Sequence, residues 1–102
     1  MTTDTEINID EKIKNTVREP SLYNVIVVND DTTPMDFVID VLEKIFKHSR
    51  ESAENLTLTI HNDGSAVIGT YTYELAEQKA TEAVSLSRSN GFPLQLKIDE
   101  EG

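Results

Sequence analysis

The sequence predicts one α/β (α+β) domain of two layers, with strands packed against helices, and three observations carry that expectation. The chain has 102 residues, enough to bury about two-thirds of its unfolded surface around one core but too few for two domains. Three short stretches, at residues 22–28, 66–71 and 93–98, are rich in β-branched residues or alternate apolar with polar. Between them, residues 34–47 and 72–89 carry apolar residues at helical spacing.

Taken in order, residues 1–20 hold no aromatic side chain. Their apolar residues, Ile7, Ile9, Ile13 and Val17, are scattered and Pro20 closes the segment, which reads as a flexible arm. Residues 21–98 read as the core domain. Its first element, LYNVIVV from Leu22 to Val28, is apolar on both faces, as a central strand covered by other elements would be. It stops at Asn29-Asp30-Asp31, a turn-forming trio. Thr33-Pro34-Met35-Asp36 then matches a helix start. Thr33 is placed to accept from the Asp36 amide, Pro34 has no donor to lose, and Asp36 suits the positive helix end. Val38, Val41, Leu42 and Ile45 follow at helical spacing, and Phe37 and Phe46 widen the stripe. Asp40 with Lys44 and Glu43 with Lys47 form i, i+4 pairs on the wet face, so a helix is expected over 34–47.

The next stretch allows two readings. Ser49 suits a helix cap with Gly64 as the stop, yet Leu56-Thr57-Leu58-Thr59-Ile60 alternates like a strand, with Asn62-Asp63-Gly64 as its turn. The local pattern alone favours the strand. AVIGTY at 66–71 is a strand under either reading. Thr72 caps a helix to about Ser89, with Ala76, Ala80, Ala83 and Val84 on one close-packed face and Asn90-Gly91 as its stop. Pro93 opens a last strand in which Leu94, Leu96 and Ile98 alternate with Gln95, Lys97 and Asp99, and residues 99–102 form an acidic tail.

Composition excludes several functions. With 19 acidic against 9 basic residues the net charge is −10, which repels nucleic acid and anionic lipid and favours cationic ligands. The bland reading of that excess is a solubilising surface. With no cysteine there is no disulfide, thiolate zinc site or cysteine nucleophile, which fits a reducing compartment. No stretch approaches the roughly 18 apolar residues of a membrane span, and MTTDTEINIDEKIKN lacks the apolar run of a signal peptide. A cytoplasmic monomer without cofactor or metal is expected.

Asn29, Asp30 and Asp31, between a strand and a helix, are the candidate site residues, together with His61. Each has a dull explanation: the trio as turn chemistry, His61 as a helix-end residue satisfying a carbonyl. His48 follows a helix with no acidic partner nearby and receives no role. Enzyme readings fare poorly. No serine occupies a strand-turn-helix elbow, Asp30-Asp31-Thr32 lacks the spacing and terminal Glu of a calcium loop, and no glycine-rich phosphate loop exists. Metal binding by Asp30, Asp31 and His61, as in a metal-dependent hydrolase, has no further support, and a non-enzymatic protein is expected.

From Tyr23 to Leu96 the chain resembles the ClpS family, small adaptors of a bacterial AAA+ unfoldase-protease that deliver substrates bearing destabilising N-terminal residues. The likeness rests on YNVIVVNDDTTPMDFVIDVL (Tyr23 to Leu42), Ile60-His61 followed by Gly64, Thr72, Glu74, Glu77, Lys79, and Pro93-Leu94. It implies a three-stranded antiparallel sheet covered on one side by three helices, in the order β-α-α-β-α-β, with residues 51–62 helical against the local alternation.

The resemblance also implies a binding site for the N-degron. Asn29, Asp30 and His61 contact the substrate's α-ammonium, with Asp31 adding negative potential. Thr33 holds the peptide backbone, and Met35, Val38, Ile60 and Leu94 line the cavity for a first residue that is Leu, Phe, Tyr or Trp. The chemistry agrees, because an α-amino group with pKa near 8 is charged at neutral pH and presents three donors. Each charge-assisted bond contributes about 1.5 to 3 kcal/mol. Where family members often carry a methionine four residues before the histidine, this chain has Thr57, which implies altered selectivity at the pocket mouth. Glu74, Glu77 and Lys79 match positions that dock on the N-terminal domain of a ClpA/ClpC-type unfoldase, and the arm acts in the hand-over. Without the resemblance, a generic protein-interaction domain of similar fold would serve as well.

Overall fold

The computed structural model describes residues 21–101, so the arm expected over 1–20 lies outside the described residues. The elements are β1 (Leu22–Val28), α1 (Met35–Lys44), α2 (Arg50–Asp63), β2 (Ser65–Thr72), α3 (Tyr73–Ser89) and β3 (Gln95–Glu100). The sheet is antiparallel with β1 in the middle, in the order β2-β1-β3. Among the described residues no helix is long and apolar enough to cross a membrane.

β1 is central, as its composition requires, but it is covered on one face only. Val25 and Val27 are fully buried with Leu42, Ile68, Ala76, Ala83 and Leu94 in one core. Ile26 and Val28, pointing the other way, are half-buried, and Val67 opposite Ile26 is exposed. The β1–β2 register shifts between Val25, which faces Gly69, and Ile26, which faces Val67. Ile68 is the extra residue of this bulge, without a partner in β1 and with its side chain buried. A Cβ at Gly69 would collide with the Tyr71 hydroxyl and ring, so only glycine lets Tyr71 fold back along β2.

The segment whose local pattern favoured a strand is helix α2, as the resemblance implied. Ser49 accepts from the Ser52 amide at 3.1 Å, and Gly64, at φ 95°, closes the C-terminus by donating to Ile60 O at 3.0 Å. Ala53, Thr57 and Ile60 turn inward at helical spacing while Leu58 and Thr59 stay exposed.

Three local expectations fail and a fourth, the cap at Thr72, holds in position only. Thr33 does not cap α1: Pro34 is the N-cap, no side chain accepts there, and Pro34 O takes the Phe37 and Val38 amides at 3.1 and 3.2 Å. Thr72 holds the N-cap position of α3 without a side-chain bond. α1 ends at Lys44 and Lys47 lies beyond it at φ 62°, which breaks the Glu43–Lys47 spacing, and among the described residues both Asp40 and Glu43 pair with Arg50, at 3.7 and 3.3 Å. Asp99 and Glu100, read as tail, pair with Asn24 and Tyr23 in β3.

Candidate functional site

The site forms where β1 ends beside the end of α2. Val28 pairs with Ser65 at the start of β2, and the next residue, Asn29, donates its amide to Gly64 O at 2.9 Å. That bond ties the loop after β1 to the glycine stop of α2, three residues beyond His61.

Asp30 then organises the loop. Its Oδ1 accepts from the Thr32 and Thr33 amides at 2.8 and 2.7 Å, and its Oδ2 accepts from the Thr33 hydroxyl at 2.8 Å. Desolvation acts to raise its pKa. The backbone and hydroxyl bonds of Thr33, the Thr32 amide and the charge of Arg88 outweigh it, so the carboxyl titrates below its ordinary value. Asp30 is therefore a fixed anion. A carboxylate offers about four acceptor positions, and the loop itself takes three of them.

Arg88 reaches this region from α3. Its Nη1 donates to Phe92 O and Leu94 O at 3.0 and 2.9 Å, fixing the loop into β3. Phe92 in turn packs edge-on against Phe37 of α1, with ring centroids 4.9 Å apart.

The result is a hollow of about 470 Å3 lined by Asn29, Asp30, Asp31, Thr32, Thr33, Pro34, Met35 and His61. Asp31 and His61 are exposed, and among the described residues neither side chain makes a hydrogen bond or ion pair. Met35 is 38% exposed at the rim. Two carboxylates, an amide and an imidazole thus converge on one concavity with acceptor capacity left over. Such a set suits a compact cation with several donors. Among the described residues no group of three or more His, Cys, Asp or Glu is arranged to hold a metal ion.

Of the residues expected at this site, Asn29, Asp30, Asp31, Thr33, Met35 and His61 line the hollow. Val38, Thr57, Ile60 and Leu94 are 6%, 2%, 3% and 1% exposed, inside the protein and outside the lining. Thr57 donates its hydroxyl to Ala53 O at 2.8 Å, which leaves that group satisfied within α2. Sequence reasoning did not anticipate Thr32 and Pro34 in the lining, whereas Asp30's bonds to Thr32 and Thr33 are the turn chemistry read from the trio. An Asp two and three residues before free amides is the signal that identifies such a turn.

The second expected surface is on α3. Glu74 and Glu77 are exposed and border a shallow groove of about 850 Å3 that continues to Glu82 and Leu86. This concavity is larger than the hollow, but no buried or loop-fixed polar groups converge on it. Lys79 is not free beside them. Its Nζ donates to Ile45 O, past the end of α1, at 2.8 Å and lies 5.6 Å from the Tyr71 ring centroid.

The family model for the ATP-dependent Clp protease adaptor protein ClpS matches residues 18–97. The chain is similar to the ATP-dependent Clp protease adapter protein ClpS of Sodalis glossinidius, 47% identical over 89% of this chain and 86% of the relative. The corresponding protein of Caulobacter vibrioides is 42% identical over 88% of this chain and 83% of its own length. A solved structure of Agrobacterium tumefaciens ClpS2 bound to L-phenylalaninamide superposes with a TM-score of 0.79 at 40% identity, covering 81% of this chain and all of that one.

Proposed function

Because the chain belongs to the ClpS family of ATP-dependent Clp protease adaptors, we propose that its anionic hollow holds the free α-amino terminus of a substrate protein and that the chain delivers this substrate to a ClpA/ClpC-type unfoldase. An adaptor is not itself a protease, and its partners are a Clp protease and the proteins brought to it.

The observation that carries the reading is the convergence of Asn29, Asp30, Asp31 and His61 on one hollow. An α-ammonium presents three donors and one charge. Asn29 Oδ1, the free Asp31 carboxylate and a His61 ring nitrogen supply three acceptors, while loop-bound Asp30 contributes fixed charge and its one remaining acceptor position. The ligand of the Agrobacterium relative has the same chemistry, a free amino group beside an aromatic side chain with the carboxyl capped as an amide.

The first side chain enters past Met35, whose unbranched thioether adapts to the occupant. Val38 lies one helical turn beyond Met35 in α1, Ile60 adjoins His61, and Leu94 and Thr57 complete the apolar set. Thr57 keeps its hydroxyl bonded to Ala53 O, so a first side chain that reaches this part of α2 meets no unsatisfied polar group there. Leu, Phe, Tyr and Trp are the preferred first residues, and the small Thr57 side chain admits Ile at a reduced penalty.

For docking, Glu74 and Glu77 supply free charge toward the unfoldase N-terminal domain. Lys79 positions α3 against the end of α1 rather than offering an unpaired ammonium. Residues 1–20 act in the hand-over.

A fluorescent peptide with a free Leu terminus and its N-acetylated twin test the reading. The free peptide is expected to bind with about micromolar or tighter affinity, and the acetylated peptide, which lacks both charge and donors, at least tenfold more weakly. Equal binding of the two refutes ammonium recognition. Ile-first peptides that keep a steep penalty relative to Leu-first ones refute the role given to Thr57.

A further inference from the structure

Leu58 is the one large apolar side chain that α2 exposes, at 50%, among polar neighbours that include Glu51, Glu54, Asn55, His61 and Asn62. It precedes His61 by three residues, so the two side chains share a face about 5 to 6 Å apart. His61 and the exposed Met35 both line the hollow, so Leu58 lies one turn of α2 away from its lining.

We propose that Leu58 forms an apolar ledge for the second side chain of the bound terminus, which makes it a specificity-determining residue that rests on the ammonium reading above. The spacing fits: three helical residues rise about 4.5 Å, close to the roughly 3.8 Å between consecutive Cα atoms of the bound chain. A first residue held at His61 therefore delivers the second to Leu58.

The ledge is one residue wide. One turn back along α2, Glu54 pairs with Arg50 at 3.1 Å, and Arg50 also reaches Asp40 and Glu43, so the surface becomes charged there. The preference for an apolar side chain thus belongs to the second position and not to the third.

The test uses free-terminus peptides that begin Leu-Phe, Leu-Leu or Leu-Ser and are otherwise identical, with a second set varied at the third position. The full chain is expected to bind the apolar second residues about three- to tenfold more tightly than Ser, with a smaller spread at position three. L58S is expected to erase that difference while keeping its melting temperature and its discrimination against an acetylated terminus. Indifference of the parent chain to the second residue overturns the ledge. So does a preference that survives in L58S, which would mean that the peptide leaves by the other route, past Thr32 toward Arg88 and Phe92. If no free-terminus peptide binds at all, the ammonium reading falls and the ledge with it.

Discussion

The chain has two histidines, one at each end of α2, and they are used in opposite ways. His48, just before the helix, has both ring nitrogens engaged: Nε2 with Ile68 O at 2.6 Å and Nδ1 with Ser52 Oγ at 3.0 Å. A carbonyl can only accept, so Nε2 donates to Ile68 O, and Nδ1 shares the second bond with the Ser52 hydroxyl. His61, near the helix end, is exposed on the wall of the hollow and bonds to nothing among the described residues. The same side chain is scaffold at one end and, in the function proposed above, a binding group at the other. Unspent hydrogen-bonding capacity separates them, not residue type.

The largest expected effect tests the free end. His61→Ala removes an acceptor for a charged donor and should weaken binding of a free-Leu peptide by about tenfold or more, while stability in urea changes by less than about 0.5 kcal/mol. A variant that binds normally would make His61 as structural as His48.

That contrast was only half legible in the sequence. Asn29, Asp30, Asp31 and His61 were identifiable by type and place, because a turn trio follows a strand and a histidine precedes a helix-stopping glycine. That the trio makes a turn was legible, but how many acceptor positions Asp30 keeps for a ligand was not, since that depends on the bonds made once the loop closes. β1 was readable to the residue from its composition. α2 was not, because Leu56, Leu58 and Ile60 alternate by coincidence. Thr57 and Thr59 fit the helix by returning their hydroxyls to Ala53 O and Asn55 O. Only the resemblance decided for helix. His48 was passed over because its partner is a carbonyl 20 residues away.

The anchored end gives the next largest effect. The bulge leaves Ile68 without a partner in β1, and His48 supplies a donor to its carbonyl. His48→Ala should cost about 1 to 3 kcal/mol in urea unfolding, with His48→Gln recovering part of it and peptide affinity per folded molecule unchanged. A His48→Ala variant as stable as the parent, or one that loses binding without losing stability, would erase the distinction between the two ends.

A smaller effect comes from the loop facing His61. Thr33→Val deletes the hydroxyl bond to Asp30 Oδ2 but keeps the amide bond to Oδ1, and should cost about 0.5 to 1.5 kcal/mol. The pH dependence has a definite sign. Asp30 titrates lower folded than unfolded, so its contribution is complete above the unfolded value near 4 and is lost as pH falls below that, through the depressed folded value. Thr33→Val should narrow that acid-side loss, measured as urea midpoints from about pH 5 to about pH 2.5. An unchanged acid limb would mean that the backbone amides alone hold the carboxylate down.

The smallest effect is expected where charges look most numerous. Arg50 opens α2 and meets Asp40, Glu43 and Glu54 at 3.7, 3.3 and 3.1 Å, yet its side chain is 55% exposed and those of Asp40 and Glu54 are about half exposed. Water and salt screen such contacts, and ordering the long side chains offsets much of what remains. Arg50→Gln should therefore leave the melting temperature unchanged within error at physiological salt. The single histidine beside it, with two partly buried bonds, then outweighs three surface ion pairs in anchoring this end of α2. A large loss in Arg50→Gln that vanishes in high salt would reverse that order.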